Sequence, residues 1–333
     1  MVFSVSLIVS NDTIIMKPPY TITSEILALV SSISQKIGEA NAKHIVRQNP
    51  KLRKQNKIKT IHSTLGIEGN TLTEKQITAL IENKRVVGPE KDIKEVINAL
   101  AVYKDLKSFR YSSEKDFLKA HKLLMSGLIE KPGAYRDKGV GIVTGSIIKH
   151  LAPPHHNVKF LMGDLFEYLK SDADLALIKS CVFHYEMEFI HPFIDGNGRM
   201  GRLWQTLVLM NEIPLFEFLP FETLIAKNQK DYYRALSASD KEGSSTKFIV
   251  FMLKIIDASL LLLLDNGTRK LKESERLELF LEQNVKTFTR KDYLKNYSDI
   301  SAATASRDLK YGVDQNLIKM IGDKKTASYK KKK

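Results

Sequence analysis

Apolar residues recur at helical spacing along almost all of this chain. Ile26, Val30, Ile33 and Ile37 form one stripe, and Ile93, Ile97, Leu100 and Tyr103 begin another. A chain patterned this way buries its stripes by packing helix on helix. Pro18 and Pro19 precede the first helix, with Thr23 or Ser24 as its cap. A long helix is expected from about Lys51 to Ile67, stopped by a left-handed Gly69. Thr73 and Gln76 have capping-box spacing for the next helix. The exception to the helical pattern is Gly133–Pro154, "GAYRDKGVGIVTGSIIKHLAPP". Its glycines and β-branched residues predict a short hairpin ended by Pro153-Pro154, with a helix near Leu161–Lys170 after it.

The 333 residues suit two or three domains, or one core with appendages. The single cysteine, Cys181, excludes an internal disulfide and fits a reducing, cytoplasmic setting; it reads as a small buried apolar residue. The opening "MVFSVSLIVSNDTII" has no basic n-region and no clear cleavage site, so a signal peptide is not expected. Residues 1–15 read either as an upstream extension before Met16 or as a short strand. Lys254 and Asp257 interrupt the apolar run 248–264, which therefore reads as a buried helix and not a membrane span.

The net charge is +14, and residues 266–333 carry 17 Lys and Arg against 9 Asp and Glu. This basic end also has its own pattern. Thr289 with Asp292 caps a short helix, Ser301 caps a second that stops near Asn316, and "IKMIGDKKTASYK" alternates about Gly322-Asp323. Helix, turn, helix and hairpin in that order predict a winged helix. The outward face of the second helix would carry Thr304, Arg307 and Lys310, a thin set for reading bases. Protein docking or support of a homodimer is therefore favoured over DNA binding.

The densest polar stretch is "HPFIDGNGRMGR", residues 191–202. Pro192 ends the preceding helix and leaves His191 at its exit. Gly196-Asn197-Gly198 predicts a tight loop, with a helix restarting near Gly198 or Arg199. Glycines let a backbone approach a ligand closely, and free N–H groups at a helix start bind anions. Arg199 and Arg202, three apart, share one helix face. Asp195 stands beside this positive nest, where a carboxylate next to phosphates suits Mg²⁺. His191, with an ordinary pKa of about 6.5, suits a general base.

At every defined position the stretch resembles the signature of the Fic family, His-x-Phe-x-Asp/Glu-Gly-Asn-Gly-Arg-x-x-Arg. "KPPYTIT", "GAYRDKGVGIV" and "LAPPHHNVKFLMGDLFEYL" resemble its larger, winged-helix-bearing members. The resemblance implies transfer of AMP from ATP to a Ser, Thr or Tyr hydroxyl of a target protein, or of the chain itself, with release of pyrophosphate. It casts His191 as general base and Asp195 as Mg²⁺ ligand. Gly196, Asn197 and Gly198 become the anion hole, and Arg199 and Arg202 the outer phosphate ligands. Gly198, where some members carry lysine, favours nucleotidylation over phosphate transfer. By the same resemblance Tyr233, Leu236 and Asp240 line the adenine pocket, Asp240 standing where asparagine is more usual. The hairpin 141–151 becomes a flap that pairs with a strand of the target.

A second motif opposes the first. In "STLGIEGN", Thr64 and Glu68 share a helix face, and Glu68 falls in the last turn, where the helix dipole disfavours a carboxylate. Thr64, Glu68 and Gly69 match the family's inhibitory helix, Ser/Thr-x-x-x-Glu-Gly/Asn. The resemblance implies that Glu68 pairs with Arg202 and keeps it from the γ-phosphate, which defines the N-terminally autoinhibited class. In some relatives the same glutamate positions a water that removes AMP, so a de-AMPylating enzyme is an alternative reading. A DNA-binding regulator with a nucleotide-sensing core is another.

The remaining polar residues read as structural. His155-His156 lack partners at zinc-ligand spacing. His184 reads as a satisfied core histidine, and Phe193 and Trp204 as core. The expected architecture is mainly α: an N-terminal helical region 1–105 with the inhibitory helix at about 51–68, a Fic core 106–265 with a β-hairpin flap, and a winged helix 270–333.

Overall fold

The computed structural model describes residues 6–10, 13–42, 50–144, 147–171, 174–267, 272–281, 287–297, 300–323 and 327–332. The chain divides into two compact units, residues 1–38 with 56–262 and residues 39–55 with 263–333.

The first unit opens with a hairpin of β1 (Ser6–Ser10) and β2 (Thr13–Lys17), so the first seventeen residues include two strands where one was expected. Helix α1 (Ser24–Ala42) follows, with the Thr23 hydroxyl accepting from Ile26 N–H at 3.2 Å. Helix α2 (Pro50–Ile67) ends as its sequence predicts. Gly69 has φ 91°, and Asn70 N–H reaches back to the Leu65 carbonyl at 3.1 Å. Thr73 and Gln76 close a reciprocal capping box on α3 (Glu74–Ile81).

Helix α4 (Glu90–Lys104) corrects the predicted stripe. Ile97 is exposed, and the buried face carries Asp92, Glu95, Val96, Asn98, Ala99 and Val102. Polar partners override hydropathy here: Asp92 accepts from Thr71, Asn98 donates to the Leu124 and Ser126 carbonyls, and Glu95 meets Arg199.

A short 3₁₀ turn, Leu106–Ser108, leads to α5 (Glu114–Leu124), then to the predicted hairpin of β3 (Gly141–Thr144) and β4 (Ile147–Leu151), bulged at Ile142/Val143. Helix α6 (His155–Lys170) starts six residues before the expected position, directly after Pro154. Helices α7 (Ala176–Ile190) and α8 (Asn197–Glu212) form the centre of the unit. Helix α7 is buried nearly all round, as a helix without a polar face must be. Phe117, Phe166, Phe183 and Trp204 pack edge to face between α5, α6, α7 and α8, and Trp204 donates to the Tyr111 carbonyl at 2.8 Å. Helices α9 (Glu222–Lys227), α10 (Gln229–Glu242) and α11 (Thr246–Gly267) follow. No described helix is long and apolar enough to cross a membrane.

The second unit holds α12 (Glu273–Leu281), β5 (Thr287–Thr289), α13 (Arg290–Asn296), α14 (Ala302–Asp314), β6 (Ile318–Ile321) and β7 (Ser328–Lys331). The turn expected between the two helices lies partly outside the described residues; the helices themselves, capped by Thr289 and Ser301, are present, and so is the hairpin. A third strand joins it, giving the sheet order β5-β7-β6. At three residues, β5 is too short for alternation to reveal. Leu277, Phe280, Phe288, Tyr293, Leu309 and Ile318 make the unit's core. Asp308 is buried there against a bidentate Arg276 at 2.6 and 2.7 Å and the Tyr293 hydroxyl at 2.9 Å.

Candidate active site

The turn between α7 and α8 carries the residues of the motif. His191 caps α7 in the left-handed conformation, φ 50° and ψ 60°, an uncommon state for a residue with a side chain. Phe193 is fully buried and stacks on His121, with ring centroids 3.5 Å apart. Gly196 has φ 91°, and a Cβ there would collide with the Met125 sulfur. Helix α8 begins at Asn197, so only Gly196 of the glycine loop lies outside it. The Asn197 side chain is spent locally: it accepts from Phe193 N–H and donates to the Phe193 carbonyl, both at 2.9 Å. What remains for an anion is the set of main-chain N–H groups in the first turn of α8, which have no intrahelical acceptor.

Asp195 is half exposed beside this helix start. Its Oδ1 accepts from Gly196 N–H at 2.6 Å and from Arg199 Nη2 at 2.9 Å. Arg199 is buried and also donates from Nη1 to Glu95 on α4 at 3.1 Å. Asn70 donates to the other Glu95 oxygen at 2.8 Å. Neither Glu95 nor Asn70 carries a sequence signal for the site, since each acts only through another side chain.

Arg202 is fully buried. Its Nε donates to Thr64 Oγ1 at 2.8 Å, and its Nη2 donates to the Thr64 carbonyl at 3.0 Å and to Glu68 Oε1 at 2.6 Å. Burial works against its charge, but Glu68 together with Tyr232 and Glu188 more than offsets this and raises its pKa above the ordinary arginine value. A Cβ on Gly198 would run into Glu68 Oε1, so the absent side chain is what admits the carboxylate to the start of α8. Helix α2 is further held by Thr60, which donates to Glu222, by Ser63, which donates to Thr223, and by Gln229, which donates to the Ile67 carbonyl at 2.9 Å. Burial pushes the Glu222 carboxyl up to about 7.

His121 is a site residue that the sequence reading missed. Gly133 N–H donates to its Nδ1 at 2.9 Å, so the ring proton sits on Nε2 and is donated to the Asp195 carbonyl at 3.0 Å. Burial, with help from Arg199, lowers its pKa to about 4 and keeps the ring neutral. No motif marks it, because its role depends on α5 packing against the turn.

On α10, Tyr233 is half exposed. Burial and then the charge of Glu68 raise its phenol, which places this part of α10 within electrostatic reach of Glu68 and Arg202. Asp240 accepts from the Tyr185 hydroxyl at 3.0 Å, and burial together with Asp240 pushes Glu186 up to about 8. Leu236 lies between Tyr233 and Asp240 on the same helix. His184 is the satisfied core histidine expected, with Gln205 Oε1 at 2.6 Å and the Tyr232 hydroxyl at 3.0 Å. Cys181 is fully buried. Among the described residues, no group of three His, Cys, Asp or Glu side chains is arranged to hold a metal.

A solved Fic family protein from Desulfovibrio desulfuricans G20 is 39% identical, over 95% of this chain and 98% of that one, with a TM-score of 0.74. The chain belongs to the Fic family. The Fic/DOC family model matches residues 111–209 of this Fic protein, a span that includes the whole motif. The protein adenylyltransferase fic-1 of Caenorhabditis briggsae is 27% identical over 219 residues, 60% of this chain and 40% of that protein. The protein adenylyltransferase Fic of Drosophila mojavensis is 27% identical over 244 residues, 69% of this chain and 46% of that protein. The chain thus spans less than half the length of these curated relatives.

Proposed function

We propose that this Fic protein transfers the AMP moiety of ATP to a hydroxyl of a protein, and that Glu68 holds the transfer in check. The observation that carries this reading is the meeting of two opposed motifs at one guanidinium. The motif that ends at Arg202 has a helix start suited to phosphates, and the end of α2 delivers Glu68 to that same arginine at 2.6 Å.

In this reaction the hydroxyl oxygen attacks the α-phosphorus, the bond to the β-phosphate oxygen breaks, and pyrophosphate leaves. His191 takes the hydroxyl proton. The N–H groups at the start of α8 receive phosphate oxygens, and Arg199 and Arg202 bind the outer phosphates. The half-exposed Asp195 carboxylate beside that helix start fits Mg²⁺, which takes one or two carboxylates and completes its shell with phosphate oxygens and water. When bound, the ion neutralises phosphate charge. Tyr233, Leu236 and Asp240 form the base-binding side of the site. The hairpin β3–β4 offers an edge to a strand of the target. With Glu68 on Arg202, the γ-phosphate lacks its cation and the nucleotide settles in an unproductive pose.

The test is incubation with Mg²⁺ and ATP labelled at the α- or the γ-phosphate. Label from the α position should appear on protein and vanish in His191→Ala. Transfer of γ-label instead, or α-transfer that survives His191→Ala, overturns the proposal.

A further inference from the structure

Arg136 is buried, burial lowers its pKa, and among the described residues no carboxylate pairs with it. A guanidinium in such a place is normally paired with an acid. Here it is given wholly to main-chain carbonyls from three segments. Nε donates to the His191 carbonyl at 2.8 Å, and Nη2 donates to the Ile190 carbonyl at 3.3 Å and the Pro153 carbonyl at 2.5 Å. Nη1 donates to the Lys138 carbonyl at 2.9 Å, and the backbone N–H of Arg136 donates to Pro192 at 2.9 Å.

Two of these acceptors, Ile190 and His191, are terminal carbonyls of α7, which lack intrahelical donors and favour a cation. The other two bracket the hairpin. Lys138 lies three residues before β3, and Pro153 lies two residues after β4. One rigid fork therefore ties both feet of the hairpin to the backbone of the histidine at the α7 exit. It also supports the left-handed conformation of His191, which the residue's own backbone preference opposes.

We infer that Arg136 is a positioning residue that keeps the hairpin, and any strand paired to it, in register with His191. The inference rests on the proposed transfer reaction, in which the hairpin presents the hydroxyl that His191 deprotonates. Lysine cannot replace it, because an ammonium is a point donor and cannot span four carbonyls.

The experiment places Arg136→Lys and Arg136→Gln in a Glu68→Gly parent. Initial rates of α-label transfer are measured against ATP, with hydrogen–deuterium exchange of the peptides covering 139–152 and 190–193. Misplacement by about 1 Å predicts a kcat roughly 10²-fold lower, with the KM for ATP held within about threefold. Exchange should quicken in those two peptides and nowhere else in the unit. A wild-type kcat, or equal loss of kcat and ATP affinity, overturns the inference. So does exchange that is unchanged, or that rises across the whole unit. If the parent itself transfers no label, the transfer reading fails on its own, and the exchange pattern still decides whether Arg136 couples the hairpin to the α7 exit.

Discussion

Glu68 and Arg202 are 134 residues apart in the chain and 2.6 Å apart in the fold. The pair is asymmetric. The arginine side chain is 1% exposed and the glutamate side chain 28% exposed, so the carboxylate can leave for water while the guanidinium cannot. An anion that displaces Glu68 inherits a cation that is already desolvated and already oriented by Thr64.

Removing Glu68 should therefore have two linked effects. Glu68→Gly should transfer AMP faster than wild type by a factor between about 5 and about 150, the usual span of a regulatory coupling. It should also melt at a lower temperature, because a buried charge loses its partner. ATP with Mg²⁺ should restore more of the melting temperature in Glu68→Gly than it adds to wild type, since phosphate replaces the missing carboxylate. Thermal melts with and without nucleotide check this, and an equal shift in both proteins would count against the competition.

The Glu95–Arg199 pair is buried on both sides. Glu95→Gln should lower unfolding free energy by about 2 kcal/mol, because Asp195 remains as a partial counterion. Urea denaturation of the two proteins at one pH measures the difference.

Glu222 predicts a pH dependence of known sign. Its folded pKa of about 7 is raised above the ordinary glutamate value of 4.5, so the native state holds the proton more tightly than the unfolded chain. Stability is then lost as pH climbs from about 4.5 to about 7. Glu222→Gln should gain on wild type over that window, by up to about tenfold in the folding equilibrium per pH unit. Urea midpoints at pH 5 and pH 8 read it, and a constant gap would show that Glu222 does not titrate there.

His121 has the opposite sign. Its pKa falls from 6.5 to about 4, so the unfolded chain takes up the proton first on acidification. The advantage of wild type over His121→Gln should be full above pH 6.5 and shrink as pH falls toward about 4. The same denaturation series reads it. In a ring-proton spectrum, a His121 that titrates near its ordinary pKa would contradict the burial argument.

The dozen residues 191–202 were legible in sequence because their chemistry is local. A proline ends one helix, a glycine takes a left-handed φ, and a helix start follows within six residues. The caps at Thr73, Thr289 and Ser301 were legible for the same reason, since each needs partners within three residues. The burial of α4 was not. Ile97 belongs to an apolar stripe yet faces solvent, while Asp92, Glu95 and Asn98 are buried by partners from other segments.

Sequence by itself determined the helical class, the stop at Gly69, the caps at Thr73, Thr289 and Ser301, the hairpin 141–151 and the turn between α7 and α8, because each depends on residues within one or two turns of helix. Only the tertiary structure decided which donor meets which acceptor across the chain. It gave Glu95 to Arg199, His121 to the Asp195 carbonyl, and Arg136 to both the hairpin and the α7 exit. Buried polar groups must find partners wherever packing brings them, and no spacing rule along the chain encodes where that will be.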